Sequence, residues 1–232
     1  MLTILPQQNS EFTVRGRLSN VRVGLFGGTF NPIHIGHLAL AENVTESLSL
    51  DRMFLIPSKI PPHKKGNIIE PEKRLEMVSM VADKLGDKFY VSDYEVNTEG
   101  ISYTHKTLIH FRGIYPDDEL FFACGTDIFE TISKWHEYED LFNYANFVVV
   151  SRSMVSFGKM LEAMPEWMHD MVIREDQYKG EKFGKIILYE MPPVDISSTE
   201  IRDVLEASYR KANLPEVVYE YISEKGLYRG NE

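Results

Sequence analysis

Two histidines, His34 and His37, stand three residues apart just after a glycine pair, in the run Gly27-Gly28-Thr29-Phe30-Asn31-Pro32-Ile33-His34-Ile35-Gly36-His37-Leu38. The run follows an apolar strand candidate, Val21 to Phe26. Glycines at a strand end let the backbone turn sharply and come close to a ligand. Asn31 reads as a helix cap and Pro32 as a first-turn proline. The two imidazoles would then share one helical face near an N-terminus, where unpaired N–H groups and partial positive charge attract phosphate. Gly36 removes a side chain between them and lets a ligand approach. A His-x-x-His pair alone is as often structural as functional; the preceding Gly-Gly-Thr turns the balance toward nucleotide chemistry. Zinc would need more ligands, and no other His, Cys or carboxylate set has suggestive spacing.

A second constellation is Asp195-Ile196-Ser197-Ser198-Thr199-Glu200-Ile201-Arg202. Ser197 and Glu200 form a capping-box pair, so the bland reading is a capped surface helix. The functional reading is a second anion site, with hydroxyls and N–H groups at the helix start and the planar fork of Arg202 reaching phosphate oxygens. A triphosphate would span both cradles. A third is Gly125-Thr126-Asp127 with Trp135 downstream. Asp127 reads as a ribose or metal ligand or as a helix N-cap. Trp135 reads as core or as a stacking platform for an aromatic ring.

The elements that must position these residues alternate along the chain. Strand candidates are 21–26, 53–57, 89–94, 120–125, 146–151 and 185–190. A helix carrying Leu40, Val44 and Leu48 lies between the first two. Pro71 opens another with Leu75, Val78, Val81 and Leu85, and Thr104 to Arg112 forms a third with Leu108, Ile109 and Phe111. Pro215 opens a last helix and Gly226 closes it. This alternation predicts a doubly wound parallel sheet in a single α/β domain over residues 21–232, preceded by a polar, flexible extension over 1–20. Such sheets bind ligands beyond the carboxyl ends of their strands, where the glycine pair lies. Residues 155–184 fit the alternation poorly. Phe157, Met160, Leu161, Met164, Trp167, Met168 and Met171 suggest a helical excursion that is core or a contact between copies of the chain.

Bulk properties narrow the function further. With 232 residues the chain is long enough for one sizeable core. The net charge of -10 disfavours nucleic acid as a partner. An anion pocket must therefore be locally basic, and 59–65, Lys-Ile-Pro-Pro-His-Lys-Lys, is the best basic cluster. The one cysteine, Cys124, ends an apolar run and reads as core. A lone thiol, no signal-peptide core and no membrane-length apolar stretch point to a cytoplasmic protein without a membrane partner.

Taken together these motifs resemble the bacterial nicotinate-nucleotide adenylyltransferases of the HxGH nucleotidyltransferase superfamily. Gly27 to Leu38 is similar to their GGTFDPIHxGHL signature, and Pro61-Pro62-His63-Lys64 to their PPHK segment. Arg74-Leu75-Glu76-Met77 resembles the following helix and Ser102-Tyr103-Thr104 with Thr107-Leu108 the SYTxDTL element. Gly125-x-Asp127 with Trp135 resembles GxDxxxxxxxW, and Ile196 to Arg202 resembles ISSTxIR. The resemblance runs from about Val21 to Tyr228 and omits 1–20 and about 155–184. It implies a Rossmann-like nucleotidyltransferase fold and Mg²⁺-dependent transfer of AMP from ATP to nicotinate mononucleotide, the adenylyl step of NAD biosynthesis. It further implies that His34, His37 and Arg202 stabilise the transferring phosphates. Gly27, Gly28, Thr29, Phe30, Gly36, Asp127, Ile196, Ser197, Ser198 and Thr199 would contact ATP. Lys64, Thr104 and Trp135 would bind the mononucleotide, Trp135 by stacking on the nicotinate ring. Mg²⁺ would be held through the ATP phosphates rather than by a protein cage.

Two positions depart from the pattern. Asn31 replaces the usual Asp but keeps its capping geometry. Lys106 replaces an Asp expected near the ATP ribose, reversing a charge; a neighbour takes that contact, ATP binding weakens, or Lys106 simply faces solvent. Rival readings are a transferase acting on pantetheine phosphate or nicotinamide mononucleotide, and a nucleotide binder without turnover. The His-Ile-Gly-His run also resembles an aminoacyl-tRNA synthetase motif, but the acidic chain has no room for a tRNA-binding body.

Overall fold

The computed structural model describes residues 21–62, 68–151, 154–192, 196–208 and 213–228. Its strands are β1 (Arg22–Gly28), β2 (Arg52–Pro57), β3 (Phe89–Val91), β4 (Glu119–Gly125), β5 (Asn146–Ser151), β6 (Val172–Arg174) and β7 (Ile186–Glu190). The α-helices are α1 (Ile35–Ser47), α2 (Pro71–Leu85), α3 (Tyr94–Asn97), α4 (Thr104–Ile114), α5 (Thr126–Phe129), α6 (Met154–Ala163), α7 (Ser198–Ser208) and α8 (Glu216–Lys225). The strands form one sheet of order β3-β2-β1-β4-β5-β7-β6, and every pairing is parallel.

Strand side chains alternate between two buried faces, as a sheet covered on both sides demands. Met53, Leu55, Phe121, Ala123, Val148, Val150 and Ile187 pack with α1, α2, α7 and α8. Phe54, Ile56, Leu120, Phe122, Phe147, Val149 and Ile186 pack on the other side with α4, α5 and α6. The expected doubly wound sheet is thus present, and its order reverses between β1 and β4. That reversal opens a crevice at the carboxyl end of the sheet.

Several local expectations change. The sheet has a seventh strand, β6, inside the segment read as a helical excursion. Its three residues lie at the sheet edge, too few to show a period. Three methionines of that segment, Met160, Met164 and Met168, are core, in one apolar cluster with Phe142 and Phe147, and half-buried Met171 packs against it. β3 stops at Val91 rather than Tyr94, because Tyr94 already begins the single turn of α3. Ile109 is exposed, leaving Thr107, Leu108 and Phe111 as the buried residues of that stretch. The last helix is capped as expected, with Pro215 before it and Gly226 in the left-handed region after it.

Candidate active site

The glycine pair does not make the turn. Gly27 and Gly28 are still strand, paired with Ile56 and Pro57 of β2. The chain reverses at Phe30, whose φ is 46°, and at a cis Asn31-Pro32 bond. Gly28 is needed for room, since a Cβ there would lie 2.9 Å from the Phe30 ring. α1 therefore starts at Ile35, with His34 rather than Asn31 as its N-cap. The correction follows from the tight turn, which occupies the residues assigned to a first helical turn.

The histidines nonetheless converge. Their rings stack with centroids 3.6 Å apart and planes 29° apart. The backbone N–H of His34 donates to Nδ1 of His37 at 3.2 Å. An Nδ1 that accepts is unprotonated, so the neutral ring carries its proton on Nε2 and presents N–H there as a donor. Phe30 is fully buried and meets the His37 ring edge-on at 5.1 Å. Its side chain backs His37 from the core.

The serine-rich turn sits against the same loop. Ser198 Oγ donates to the Pro32 carbonyl at 3.2 Å, and Arg202 Nη1 donates to the Asn31 carbonyl at 2.9 Å. A Cβ on Gly36 would lie 3.1 Å from His34 Nδ1 and 3.6 Å from Ile196 Cβ, so this glycine lets three groups close together. The capping box is present: Glu200 N–H donates to Ser197 Oγ, and Ser197 N–H to the Glu200 carboxylate, both at 3.2 Å. Arg202 Nη2 also donates to Thr199 Oγ1 at 3.1 Å. Two helix N-termini, of α1 and α7, thus meet at one place, rich in donors for an anion.

Trp135, Asp127 and Thr104 lie on other segments around the sheet. Trp135 is half-buried, edge-on to Phe122 at 6.2 Å, with Nε1 donating to Thr131 Oγ1 at 3.3 Å. Phe122 lies 3.5 Å from the position of a Cβ on Gly27, which links the tryptophan to the strand that leads into the Phe30 turn. Asp127 is exposed in the first turn of α5, where Gly125 holds the N-cap position. The N-cap alternative for Asp127 therefore falls. Thr104 opens α4 beside a shallow cleft lined by Glu95, Ser102, Tyr103, Lys106 and Thr107. Lys106 is exposed, with Nζ 5.8 Å from the Tyr103 ring centre. Lys64 lies outside the described residues. Cys124 is buried core, and burial pushes its thiol up, which keeps it inert.

Three polar residues around these loops were given no role by the sequence reading. Arg74 is fully buried, and its guanidinium donates to the carbonyls of Ile69, Thr29 and Lys59. Burial lowers its pKa. The available signal was a charge on the apolar stripe formed with Met77, Val78 and Val81. Tyr228 donates to Asn31 Oδ1 at 2.8 Å, which also accepts from Ile69 N–H at 3.2 Å. Burial raises the Tyr228 pKa, so the phenol remains a donor. Glu95 is buried and accepts from Thr107 Oγ1 at 2.6 Å; burial raises its carboxyl pKa. Among the described residues no group of three or more His, Cys, Asp or Glu could hold a metal ion.

A parallel sheet with two donor-rich helix starts over its switch point is the framework of nucleotide-transferring α/β proteins. Residues 25–204 match the cytidylyltransferase-like family. The probable nicotinate-nucleotide adenylyltransferase of Clostridium tetani is 39% identical over 208 residues, covering 88% of this chain and 98% of its own. That of Shewanella pealeana is 35% identical over 215 residues, covering 91% and 97%. Within the cytidylyltransferase-like proteins, the chain belongs to the nicotinate-nucleotide adenylyltransferase family. The fold is shared with the Plasmodium falciparum nicotinic acid mononucleotide adenylyltransferase complexed with NaAD, at TM-score 0.69 and 20% identity, over 90% of this chain and 98% of that one.

Proposed function

We propose that the chain catalyses its family's reaction by direct in-line transfer between two bound nucleotides. A 5′-phosphate oxygen of nicotinate mononucleotide attacks the α-phosphorus of Mg·ATP. The bond from that phosphorus to the bridging oxygen breaks, pyrophosphate leaves with the electron pair, and nicotinic acid adenine dinucleotide remains. The substrate supplies its own nucleophile, so the protein's task is positioning and charge neutralisation.

The contact between the Asn31-Pro32 turn and the start of α7, beside the stacked histidines, carries this reading. It gathers His34, His37, Ser197, Ser198, Thr199 and Arg202 into one donor set. The imidazoles would serve the α- and β-phosphates, with His37 offering Nε2–H. The hydroxyls and Arg202 would hold the outer phosphates, and Gly27 to Phe30 with Gly36 would line the nucleotide junction through backbone. Trp135 would stack on the nicotinate ring, Thr104 and Lys64 would serve its nucleotide, and Asp127 would take ribose hydroxyls. Mg²⁺ fits as part of the ATP substrate, because imidazoles and hydroxyls at this place suit phosphate rather than a bare hard cation. Bound there, it would neutralise charge on the phosphate oxygens.

The test is pyrophosphate release from ATP and Mg²⁺ with each pyridine mononucleotide. Release with nicotinate mononucleotide, at a higher kcat/KM than with the carboxamide, is expected. No release with either would leave a binder without turnover. Preference for the carboxamide would overturn the acceptor assignment.

A further inference from the structure

Arg74 is the most deeply buried charged side chain among the described residues, with 0% exposure, and none of their carboxylates forms a salt bridge with it. Burying a cation this way costs free energy unless each donor finds an acceptor. The three contacts are made to backbone of three separate segments. Nη1 donates to Thr29 O at 2.6 Å, Nη2 to Lys59 O at 3.2 Å and Nε to Ile69 O at 2.8 Å. Thr29 is in the loop after β1, and Lys59 is in the loop after β2. Ile69 precedes α2, and its N–H donates to Asn31 Oδ1 at 3.2 Å. The Lys59 loop is tied onward to the start of α4: Lys59 N–H donates to Ser102 Oγ at 2.9 Å, and Ser102 N–H to Ile60 O at 3.0 Å.

We propose that Arg74 is a positioning residue that fixes the phosphate loop after β1 relative to the β2 and α4 segments beside the cleft, and so sets the alignment of the two substrates. The inference rests on the in-line reaction proposed above. That reaction needs the attacking oxygen about 3–3.5 Å from phosphorus, and a misplacement near 1 Å costs about 10²-fold. The planar fork holds three carbonyls at fixed separations, which a flexible ammonium cannot do. Each substrate still meets its own segment when the tie is lost, so ground-state binding persists while transition-state geometry fails.

Arg74→Lys and Arg74→Met separate geometry from charge. Both are expected to lower kcat about 10²-fold while moving either KM by less than about 5-fold. Ser102→Ala removes the Oγ half of the onward tie at a half-buried position and is expected to lower kcat in the same direction by about 5-fold. Glu119→Gln serves as a stability control. Glu119 is buried beside Arg22 and Tyr178 at the opposite end of the sheet. It should lower Tm and leave kcat unchanged. Full activity in Arg74→Lys would make the role one of charge and overturn the proposal. A rise in KM at constant kcat would do the same. If the Arg74 variants yield no folded protein, Ser102→Ala decides: a lower kcat supports the positioning role and an unchanged one refutes it. Wild-type protein releasing no pyrophosphate would instead sink the reaction assignment itself.

Discussion

His37 accepts a backbone hydrogen bond at Nδ1 while Phe30 and His34 hold its ring from two sides. A donor fixed this way loses little freedom when charge develops nearby, and such preorganised donors are worth about 2.7–4 kcal/mol, or 10²–10³ in rate. His37→Ala should therefore lower kcat by about 10²–10³ while costing about 1 kcal/mol of stability, since the ring is only half-buried. Steady-state kinetics with a denaturant titration checks both; wild-type turnover would remove His37 from the phosphate site. At this scale the sequence picked out residues that the fold gathers, without showing how each one packs. His34, His37, Ser198 and Arg202 come together, as the expectation of two neighbouring anion cradles required. Phe30 serves as a packed support, a distinction no spacing could reveal.

The site's elements are helix starts and the loops leading to them. α1 begins later than the cap residues implied, and Asn31 puts its side chain to a different use, accepting from Ile69 N–H and Tyr228. The partners of Asn31 are distant in sequence, so local capping rules miss them. The segment from α3 to α4 is organised around Glu95, whose carboxyl accepts from Thr107 Oγ1. Burial raises the Glu95 pKa, against weaker opposing hydrogen bonds from Thr107 and Ser102. A carboxyl raised on folding contributes stability that is fully present below its unfolded value near 4.5 and is lost as pH rises through its folded value. Relative to Glu95→Gln, which cannot titrate, the wild type should lose stability as pH rises through that window. Urea midpoints for both proteins across it provide the measurement; parallel curves would mean that Glu95 is not raised.

Across the whole molecule, two apolar layers cover the sheet from both sides. Phe147 is fully buried and meets Phe122, Phe129 and Phe142. Phe147→Ala should cost about 3–5 kcal/mol. A thermal melt should fall by roughly 10 °C at this chain length; a shift under about 3 °C would mean that the layer repacks around the loss. The layers were legible because a buried parallel strand leaves long apolar runs, as in Leu120 to Cys124 and Phe147 to Val150. β6 was not, because three edge residues, two half-buried and one exposed, leave no pattern. The sequence by itself determined the alternation of strand and helix, the glycine–histidine and serine-rich motifs, and the buried faces, all of which depend on residues near one another along the chain. Only the tertiary structure decided that the turn falls at Phe30, that Arg74 ties Thr29 to Lys59, and that Tyr228 reaches Asn31. Those contacts join residues far apart along the chain, and a lone donor or acceptor carries no periodicity from which its partner can be read.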